Sequence, residues 1–440
     1  MSFLWRIFYN VIFIPMLFVS YQIYALFNSK ARDGLNGRKD LFERIEKQIP
    51  FKSADGRENL PVIWFHCASV GEFEQARPII TAVKDRFRIV VTFFSPSGYN
   101  LASKYPHADL ISYLPFDTPQ NAKRMFELIK PSILIFVKFD VWPNYVWTAG
   151  KHGIPVILAD ATLHEKSKRL SPIIRSFMSS IHKHITLHCA ISAGDAERFK
   201  LLCPDNARIE VMGDTRFDQV IARKNSASKK LEGLLPKFKT LVIIAGSTYI
   251  EDEKVVIEAY QKVLSNKGKV QLIIVPHEPE PERLKEIENL MAERRLPCIR
   301  LADLEKGIKH RGEAIIVDRV GVLAELYILG DITFIGGSFH GSVHNVMEPA
   351  IMGKPVLFGP TIHNSLEAFM LMKLGAGIMV KNSAEMAEYI KLLSDKELRE
   401  RLGHIGKMMI EENAGATDKI VNWINNNSNE QQNKSLSKNN

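Results

Sequence analysis

The chain has 440 residues, 46% of them hydrophobic, which is enough for two domains of ordinary size with their own cores. Its formal net charge is +9, yet no Lys/Arg-rich run with interleaved aromatic residues occurs, which disfavours nucleic acid and favours anionic lipid or phosphorylated small molecules as partners. The four cysteines form no C-x-x-C pair, which argues against a zinc site and a disulfide framework.

The first predicted element is an apolar segment from Phe3 to Phe27, long enough to cross a bilayer. No small-x-small cleavage site follows it, so a signal peptide ranks below a spanning helix or a helix lying in the membrane interface. By the positive-inside tendency, the basic residues that follow place the rest of the chain in the cytoplasm. We therefore predict an anchor over residues 1–28, on the cytoplasmic face of the inner membrane, and expect a chain without residues 1–27 to stay folded and soluble.

From about Pro61, short β-branched runs alternate with amphipathic runs of helix length, a pattern typical of a parallel sheet covered on both faces. The pattern predicts one domain over residues 29–221 and a second over 240–424, joined by a polar linker at 222–239. Residues 425–440 are predicted to be a disordered tail. The predicted strands are 62–66, 88–94, 110–114, 133–139, 155–159, 185–191 and 209–212, then 241–245, 270–275, 314–317, 332–335 and 355–358. Two such doubly wound, Rossmann-like α/β domains would place the chemistry at the carboxyl ends of their strands, in a cleft between them.

The turn after the first strand carries the first candidate catalytic group. Gly71 is predicted to permit a tight strand-to-helix turn, from which Glu72 projects in the first helical turn. A carboxylate at that position also complements the helix dipole. From this motif alone, a catalytic and a purely structural role for Glu72 are equally supported.

Turns in the second half are predicted to bind a phosphorylated ligand. After one strand, adjacent glycines at 336–337 would let backbone amides approach an anion. Asn345 and Glu348 share one helical face, where the carboxylate can accept hydrogen bonds from ribose hydroxyls. The alternative, that the glycines only turn the chain and His344 is an ordinary loop histidine, is less favoured because several polar residues converge on one strand–helix unit. Other polar turns on the same rim are 247–248, 277–278 and 318–322.

The sequence contains no zinc-binding spacing, no phosphate-binding Walker A loop and no G-x-S-x-G elbow. We therefore expect no metal and no cofactor. Departure of a nucleotide phosphate would then be assisted by helix termini and by basic side chains such as His277 or Arg216.

From the N-terminal anchor to about residue 415, the chain resembles the 3-deoxy-D-manno-octulosonic acid (Kdo) transferases of lipid A biosynthesis, which have the GT-B fold. The motifs that carry the resemblance are H-x-A-S-x-G-E at 66–72, W-P-N at 142–144, G-G-S at 336–338 and H-N-x-x-E-P-A at 344–350. The family's G-N-x-K-F-D stands at 213–218 as G-D-T-R-F-D. Their order and spacing are specific, although each motif alone is not.

The resemblance implies that Glu72 is the general base of an inverting transfer of Kdo from CMP-Kdo to a lipid A disaccharide precursor. It places Arg216 where a charge-stabilising lysine usually stands. The implied acceptor side comprises Ser69, Gly71, Trp142 and Asn144. The implied donor side comprises Ser247, Thr248, His277, Glu278, Val320, Gly321, Val322, Gly337, Ser338, Asn345, Val346, Met347 and Glu348.

The chain departs from the family pattern at three further places. Lys138, Phe139 and Asp140 replace E-T-E, and we count Lys138 and Asp140 among the candidate catalytic residues. The family's P-R-H-P is P-H-E-P at 276–279, which puts the titratable His277 where an always-charged arginine is usual. Valine follows Gly321 instead of glutamate. Two alternatives stay open: a GT-B transferase that uses a UDP-sugar on a lipid acceptor, and a membrane-anchored nucleotide-sugar-binding module without turnover.

Overall fold

The computed structural model describes residues 2–49, 57, 59–225, 231, 235 and 238–436. The chain forms two compact units, one of Met1–Gln219 with Ala414–Asn440 and the other of Val220–Asn413. The predicted linker at 222–239 begins close to the first of these boundaries, and its residues 226–230, 232–234 and 236–237 lie outside the described residues.

The N-terminal segment is helical. It consists of α1 (Ser2–Phe8), a π-helical turn (Tyr9–Phe13), α2 (Ile14–Phe27), α3 (Ser29–Asn36) and α4 (Leu41–Gln48). Within the described part of the chain, the 25-residue stretch Phe3–Phe27 is the one helix long and apolar enough to cross a membrane by length and composition. Tyr9, Ile14 and Ala25 are buried against the first unit, whereas most of the other apolar side chains of this stretch are exposed.

The first unit contains a parallel sheet of seven strands, which confirms the seven predicted there. The strands are β1 (Val62–Cys67), β2 (Arg88–Phe93), β3 (Leu110–Tyr113), β4 (Ile133–Val137), β5 (Val156–Ala161), β6 (Leu187–Ala190) and β7 (Ile209–Val211), in the order β3-β2-β1-β4-β5-β6-β7. The helices are α5 (Val70–Val83), α6 (Pro96–Ala102), α7 (Pro119–Ile129), α8 (Pro143–Lys151), α9 (Pro172–His182), α10 (Ala193–Lys200) and α11 (Thr215–Asn225), with a 3-10 turn at Lys168–Leu170. In β1, Trp64 packs into one core, and Ile63 and Phe65 pack into another on the opposite face. Burial on both faces explains the continuous apolar runs.

The second unit contains another parallel sheet of seven strands. They are β8 (Leu241–Thr248), β9 (Val270–Pro276), β10 (Cys298–Arg300), β11 (Ala314–Ile316), β12 (Ile332–Ile335), β13 (Val356–Phe358) and β14 (Gly377–Met379), in the order β10-β11-β9-β8-β12-β13-β14. The helices are α12 (Ile250–Ser265), α13 (Pro281–Glu293), α14 (Leu301–Glu305), α15 (Leu323–Leu329), α16 (Met347–Ile351), α17 (Leu366–Lys373), α18 (Ser383–Leu392) and α19 (Lys396–Glu412). The sequence predicts five of these strands and misses β10 and β14. Both are edge strands of three residues that are mostly only half-buried, so they lack the fully buried apolar run that marks the equally short β11 and β13.

The last helix, α20 (Ala416–Leu436), belongs to the first unit, although the sequence predicts that the second domain extends to 424 and that disorder follows. Ile420, Trp423 and Ile424 are buried in a core of the first sheet, because their i, i+3, i+4 spacing forms one apolar face. The carboxylate of Asp218 accepts the backbone N–H groups of Gly415 and Thr417 at 2.6 and 2.7 Å, which fixes the start of this helix.

The strand order reverses between β1 and β4 in the first sheet and between β8 and β12 in the second. In open parallel sheets, ligands bind beyond the carboxyl ends of the strands at such reversals. The segments that follow these four strands carry Glu72, Lys138, Tyr249 and Gly337. The turns at the two strand-order reversals are therefore among those that the sequence motifs mark.

Candidate active site

Glu72 lies in the first turn of α5, directly after β1. Ser69 caps this helix, since its Oγ accepts the Glu72 N–H at 3.4 Å, and Glu72 Oε2 in turn accepts a short hydrogen bond from the Ala68 N–H. Gly71 lies inside the helix, and an added Cβ there would meet nothing closer than Ser69 Oγ at 4.0 Å. The predicted need for a glycine at position 71 is therefore not evident in this turn.

The carboxyl of Glu72 is 5% exposed, and burial raises its pKa to about 7. Asp140 raises this pKa further, whereas the Ala68 N–H and Lys138 lower it. The fold thus brings the two predicted residues after β4 within electrostatic reach of Glu72. A carboxyl that titrates near neutral pH is suited to accept a proton under physiological conditions.

Arg169 joins this group, and no sequence motif marks it. Burial raises the pKa of Asp140 and lowers that of Arg169, and the opposite charge of each partner counteracts both shifts. The Arg169 guanidinium lies over the Phe139 ring, 4.6 Å from its centroid. Lys138 adopts the left-handed conformation, with φ of 64°. The segment after β4 is therefore held in an uncommon conformation beside the base candidate.

Trp142 and His66 connect the W-P-N motif to β1. The indole Nε1–H of Trp142 donates to His66 Nε2 at 3.0 Å, and His66 Nδ1 lies 3.1 Å from Thr92 Oγ1. Because the indole nitrogen can only donate, the proton of the neutral imidazole must be on Nδ1. Burial lowers the pKa of His66 to about 3, so this neutral form persists at physiological pH. His66 is thus a positioning group for Trp142.

Asn144 is 4% exposed, and both its backbone N–H and its side-chain Nδ2 form hydrogen bonds, to Asp117 and Asn10. Its N–H donates to Asp117 Oδ2 at 3.2 Å, and its Nδ2 donates to the Asp117 carbonyl at 2.6 Å and to Asn10 Oδ1 at 2.8 Å. The sequence predicts that Asn144 faces the acceptor. In the fold it instead holds the W-P-N segment and the N-terminal helix in place.

Arg216 forms a bidentate ion pair with Asp214, in which Nε and Nη2 lie 2.9 and 2.6 Å from Asp214 Oδ2. Asp214 Oδ1 also accepts Gln75 Nε2 at 3.3 Å, and Gln75 lies on α5, three positions after Glu72. The N–H and Oγ1 of Thr215 donate to the buried Asp160 at 2.8 and 2.6 Å. Burial, followed by the charge of Asp214, raises the pKa of Asp160 to about 8. Sequence reasoning missed Gln75 and Asp160, because neither belongs to a motif.

In the second unit, Asp252 binds the loop that contains the two glycines. Its carboxylate accepts the N–H groups of Tyr249, Gly337 and Phe339 at 2.9, 2.7 and 3.1 Å. The Gly336 N–H donates to Gly246 O at 2.9 Å. Both glycine amides are therefore occupied, which corrects the expectation that they approach an anion.

Packing explains the glycine at 336, since a Cβ there would lie 2.3 Å from Ser247 O. Gly337 has φ of 90°, which favours glycine as well. Two other residues that the sequence predicts on the sugar-donor side, Thr248 and Ser338, are buried, and their hydroxyls form hydrogen bonds within the protein. Thr248 Oγ1 donates to Glu253 Oε1 at 2.7 Å, and Ser338 Oγ accepts the Gly359 N–H at 2.6 Å. These two hydroxyls hold the loops rather than face solvent.

Four aromatic rings gather at this edge of the second sheet, which we call the imidazole stack: Tyr249, His277, His340 and His344. His277 stacks on His344 with centroids 4.4 Å apart, and Tyr249 stacks on His340 at 4.3 Å. Burial, then the neighbouring His277 and His340, lower the pKa of His344 to about 4. The sequence singled out His277 as a departure from the family pattern, but it did not predict His340 or Tyr249 as neighbours.

The remaining residues predicted on the sugar-donor side lie on four segments, at or after the ends of β8, β9, β11 and β12. Asn345 Oδ1 accepts the Met347 N–H at 3.0 Å, and Glu348 Oε1 lies 2.5 Å from Arg223 Nη1. Val322, Val346 and Met347 are buried, Ser247, Glu278 and Val320 are at least partly exposed, and Gly321 has φ of 86°.

The fold also brings together two histidines and a cysteine that are dispersed in sequence. In the part of the chain that the structure describes, His182, His188 and Cys203 form the one group of three or more side chains with metal-ligating atoms close enough to share an ion. His182 Nδ1 lies 2.9 Å from His188 Nε2, and Cys203 Sγ lies 3.4 Å from the same atom. These contacts are hydrogen bonds within a buried cluster. The absence of a metal requirement stays a prediction.

Two parallel Rossmann-like sheets with candidate sites at both strand-order reversals define a protein of the GT-B fold class. Solved structures with the same fold include a putative UDP-N-acetylglucosamine 2-epimerase from Listeria monocytogenes, with a TM-score of 0.56 and 14% identity over 84% of this chain and 97% of that one. MurG from Acinetobacter baumannii has a TM-score of 0.53 and 12% identity over 83% and 99%. At these identities, the likeness shows the fold alone.

The chain belongs to the 3-deoxy-D-manno-octulosonic acid transferase family. Residues 39–219 match the family model described as 3-deoxy-D-manno-octulosonic-acid transferase (kdotransferase). A relative with that name from Aquifex aeolicus is 31% identical over 361 residues, which cover 81% of this chain and 92% of the relative. Another from Haemophilus influenzae is 26% identical over 373 residues, which cover 82% and 86%.

Proposed function

We propose that the protein transfers Kdo from CMP-Kdo to a lipid A disaccharide precursor, with Glu72 as the general base. Family membership supports the transferred sugar, and the names of the relatives support the reaction class. The observation that carries the residue assignment is the buried carboxyl of Glu72 beyond β1, whose pKa is raised to about 7. Its position at a strand-order reversal fits a ligand-facing group.

In the proposed step, Glu72 accepts the proton of an acceptor hydroxyl, whose oxygen forms a bond to the anomeric carbon of Kdo. The bond between that carbon and the phosphate oxygen breaks, and CMP leaves with the bonding electrons. Attack from the face opposite the leaving group inverts the anomeric centre. Lys138 lowers the pKa of Glu72 and would stabilise the carboxylate before the transfer, whereas Asp140 favours the protonated form after it.

Arg216 is proposed to supply positive charge near the base, where the family resemblance places a lysine. Its bidentate pair with Asp214 fixes the guanidinium, and Gln75 connects that pair to the helix of Glu72. On the donor side, the imidazole stack would contact the nucleotide. His277 and His340 are exposed members of the stack and carry nitrogen donors suited to a phosphate oxygen.

The N-terminal helix is proposed to bind the membrane by lying along its surface. Near its start, Trp5 Nε1 donates to Ser176 Oγ at 3.1 Å, and farther along, the Tyr21 ring contacts Phe94 and Phe116 at 5.8 and 5.7 Å. A helix held along one domain at both places cannot also cross a bilayer. Its exposed apolar side chains, which a lipid surface would cover, include Phe3, Leu4, Val11, Ile12, Met16, Val19, Ile23, Leu26 and Phe27. The basic residues that follow the helix favour the cytoplasmic face.

The test is to incubate the full-length protein in detergent with CMP-Kdo and the lipid A precursor, and to weigh the lipid product by mass spectrometry. We expect a product heavier by one or more Kdo residues, also in the presence of a chelator. UDP-GlcNAc with the same acceptor is the matched alternative donor, and product from that donor alone would overturn the proposal. Nucleotide binding without any product would instead support a non-catalytic binding module.

A further inference from the structure

A cavity of about 580 Å³ lies in the first unit, between the N-terminal helix and α8. Arg6 and Asn10 line it from the helix, and Asn144, Trp147 and Lys151 line it from α8. The volume is within the range of small-molecule sites. The two candidate sites described above do not include this cavity, although Asn144 contributes to its wall.

The cavity wall is strongly basic. Three of its lining residues carry cationic side chains, Arg6, Lys123 and Lys151, and the imidazoles of His152 and His184 also line it. No aspartate or glutamate is among the described residues that line it. Lys123 has an acidic neighbour on its own helix, Glu127 at 3.7 Å, but both side chains of that pair are largely exposed and the pair is weak. An excess of positive charge around a concave surface attracts an anion.

Two groups in the wall, the imidazole of His184 and the guanidinium of Arg6, are available to bind a ligand. The Nε2 atom of His184 is buried and has no hydrogen-bond partner among the described residues. The Arg6 guanidinium lies over the Trp147 ring, with its central carbon 4.9 Å from the centroid, and no carboxylate of the described chain forms a salt bridge with it. A buried polar atom without a partner is unfavourable, and an anion in the cavity would accept a hydrogen bond from His184 in the tautomer that carries its proton on Nε2.

The cavity also lies beside surface suited to lipid. On the helix that carries Arg6, Phe3 is 71% exposed and Ile7 is 44% exposed, and on the neighbouring α9, Ile173 is 74% exposed. An arginine within an otherwise apolar helix is unfavourable in hydrocarbon, but at the lipid surface it can reach a headgroup. Basic pockets beside membrane helices are known to bind anionic headgroups.

We propose that this cavity binds the phosphate headgroup of an anionic lipid, between the N-terminal helix and α8. The proposal rests on the proposed placement of that helix at the membrane surface. The ligand chemistry is a phosphate ester, for which the guanidinium of Arg6 supplies paired donors and Lys151 supplies a point charge. The site would anchor the first unit to anionic membranes independently of sugar transfer.

The test is co-sedimentation of the full-length protein with vesicles of phosphatidylcholine alone or of phosphatidylcholine with phosphatidylglycerol. We expect the wild type to bind the anionic vesicles roughly 10-fold more tightly, and the variant Arg6→Gln/Lys151→Gln to lose that preference while it still binds neutral vesicles. Lys123→Gln/Lys151→Gln changes only exposed side chains, so it tests the same cavity without disturbing the Arg6 contact with Trp147.

The matched control is Arg86→Gln/Lys104→Gln, which removes the same charge from exposed positions of the same unit outside the cavity. If this control loses the preference as fully as the cavity variants, or if the cavity variants keep it, the headgroup site is overturned. Equilibrium dialysis with labelled inorganic phosphate distinguishes a lipid headgroup from free phosphate as the ligand. If the wild type retains the labelled phosphate and the cavity variants do not, the ligand is free phosphate rather than a lipid headgroup. A wild type that binds neither vesicle would refute the membrane placement itself.

Discussion

The hydroxyl of Tyr9 donates a 2.7 Å hydrogen bond to Oδ2 of Asp117, 108 positions farther along the chain. The same oxygen accepts the N–H of Asn144, so one buried carboxylate holds both the N-terminal helix and the W-P-N segment. Trp142 in that segment bonds to His66 on β1, the strand that leads to Glu72. The N-terminal helix is therefore an integral part of the first unit and is linked to the segment beside the proposed base.

We expect Tyr9→Phe to lower the free energy of unfolding of the first unit by about 1–2 kcal/mol, because the buried Asp117 loses a hydrogen-bond donor. Urea denaturation followed by circular dichroism would measure the change. Tyr24→Phe is the matched control on the same helix, since Tyr24 is 54% exposed and its hydroxyl accepts a hydrogen bond from Asn28 Nδ2 rather than donating to a buried carboxylate. Equal midpoints for the two variants would contradict a stabilising role for the Tyr9 bond.

Asp117→Asn should reduce the dependence of stability on pH. Burial raises the pKa of Asp117 to about 7, so the folded state retains a proton that the unfolded chain has already released at lower pH. The stability from this group is complete in acid and is lost as pH rises through about 7, in total on the order of 2–3 kcal/mol between pH 5 and 8.

In Asp117→Asn, the side-chain oxygen can take the place of Asp117 Oδ2 and accept the hydrogen bonds from Tyr9 and Asn144. The side-chain NH2 group then takes the place of Asp117 Oδ1, which has no partner among the described residues. The variant should therefore gain stability relative to the wild type at pH 8, whereas Asp117→Leu should lose it at every pH. Melting temperatures measured from pH 5 to 8 test both statements, and a difference between wild type and Asp117→Asn that does not grow with pH would count against the raised pKa.

Glu72→Gln should reduce kcat by a factor of roughly 10² to 10⁴ and leave the fold intact, because a glutamine oxygen can still accept the Ala68 N–H but cannot take a proton. For the wild type, kcat/KM should increase with pH and level off above about 7, as the buried carboxyl ionises. Glu74→Gln on the same helix is the matched control and should keep most of the activity. Rates within a factor of two of wild type for Glu72→Gln would exclude it as the base.

Gly336→Ala should destabilise the second unit by about 1–3 kcal/mol, since the new Cβ would lie 2.3 Å from Ser247 O and 2.6 Å from Thr248 Cα. Gly341→Ala, five positions later, is the control, because a Cβ there has nothing within 4 Å. Thermal unfolding and nucleotide-binding titrations should both distinguish the two variants. Similar melting temperatures would show that the backbone at Ser247 yields more readily than its packing suggests.

Deletion of residues 1–27 is now expected to impair folding of the first unit, contrary to the expectation from sequence. Removal of Tyr9 and Asn10 would take one hydrogen-bond partner each from Asp117 and Asn144, and would uncover Trp147. We expect the truncated chain to aggregate or to lose cooperative unfolding, as judged by size-exclusion chromatography and calorimetry. A monomeric truncation with wild-type melting temperature would restore the view of the helix as a separate anchor.

Much of the architecture could be predicted from the sequence because it depends on local patterns. Alternation of β-branched and amphipathic runs indicates parallel strands and helices, and the turn before Glu72 combines a serine cap with a carboxylate in the first helical turn. The order of the motifs also predicted the correct family. Such signals lie within a few residues of one another and need no knowledge of distant contacts.

The tertiary structure alone decided what each polar side chain contacts. The amide of Gly337 is occupied by Asp252, 85 positions away, and Arg216 is held by Asp214 with Gln75 from another helix. The role of Asn144 likewise depends on Asn10 of the N-terminal helix. The local sequence predicts which atoms can donate or accept, but long-range packing determines their partners, because buried polar groups must be satisfied by whatever distant segment the fold brings to them.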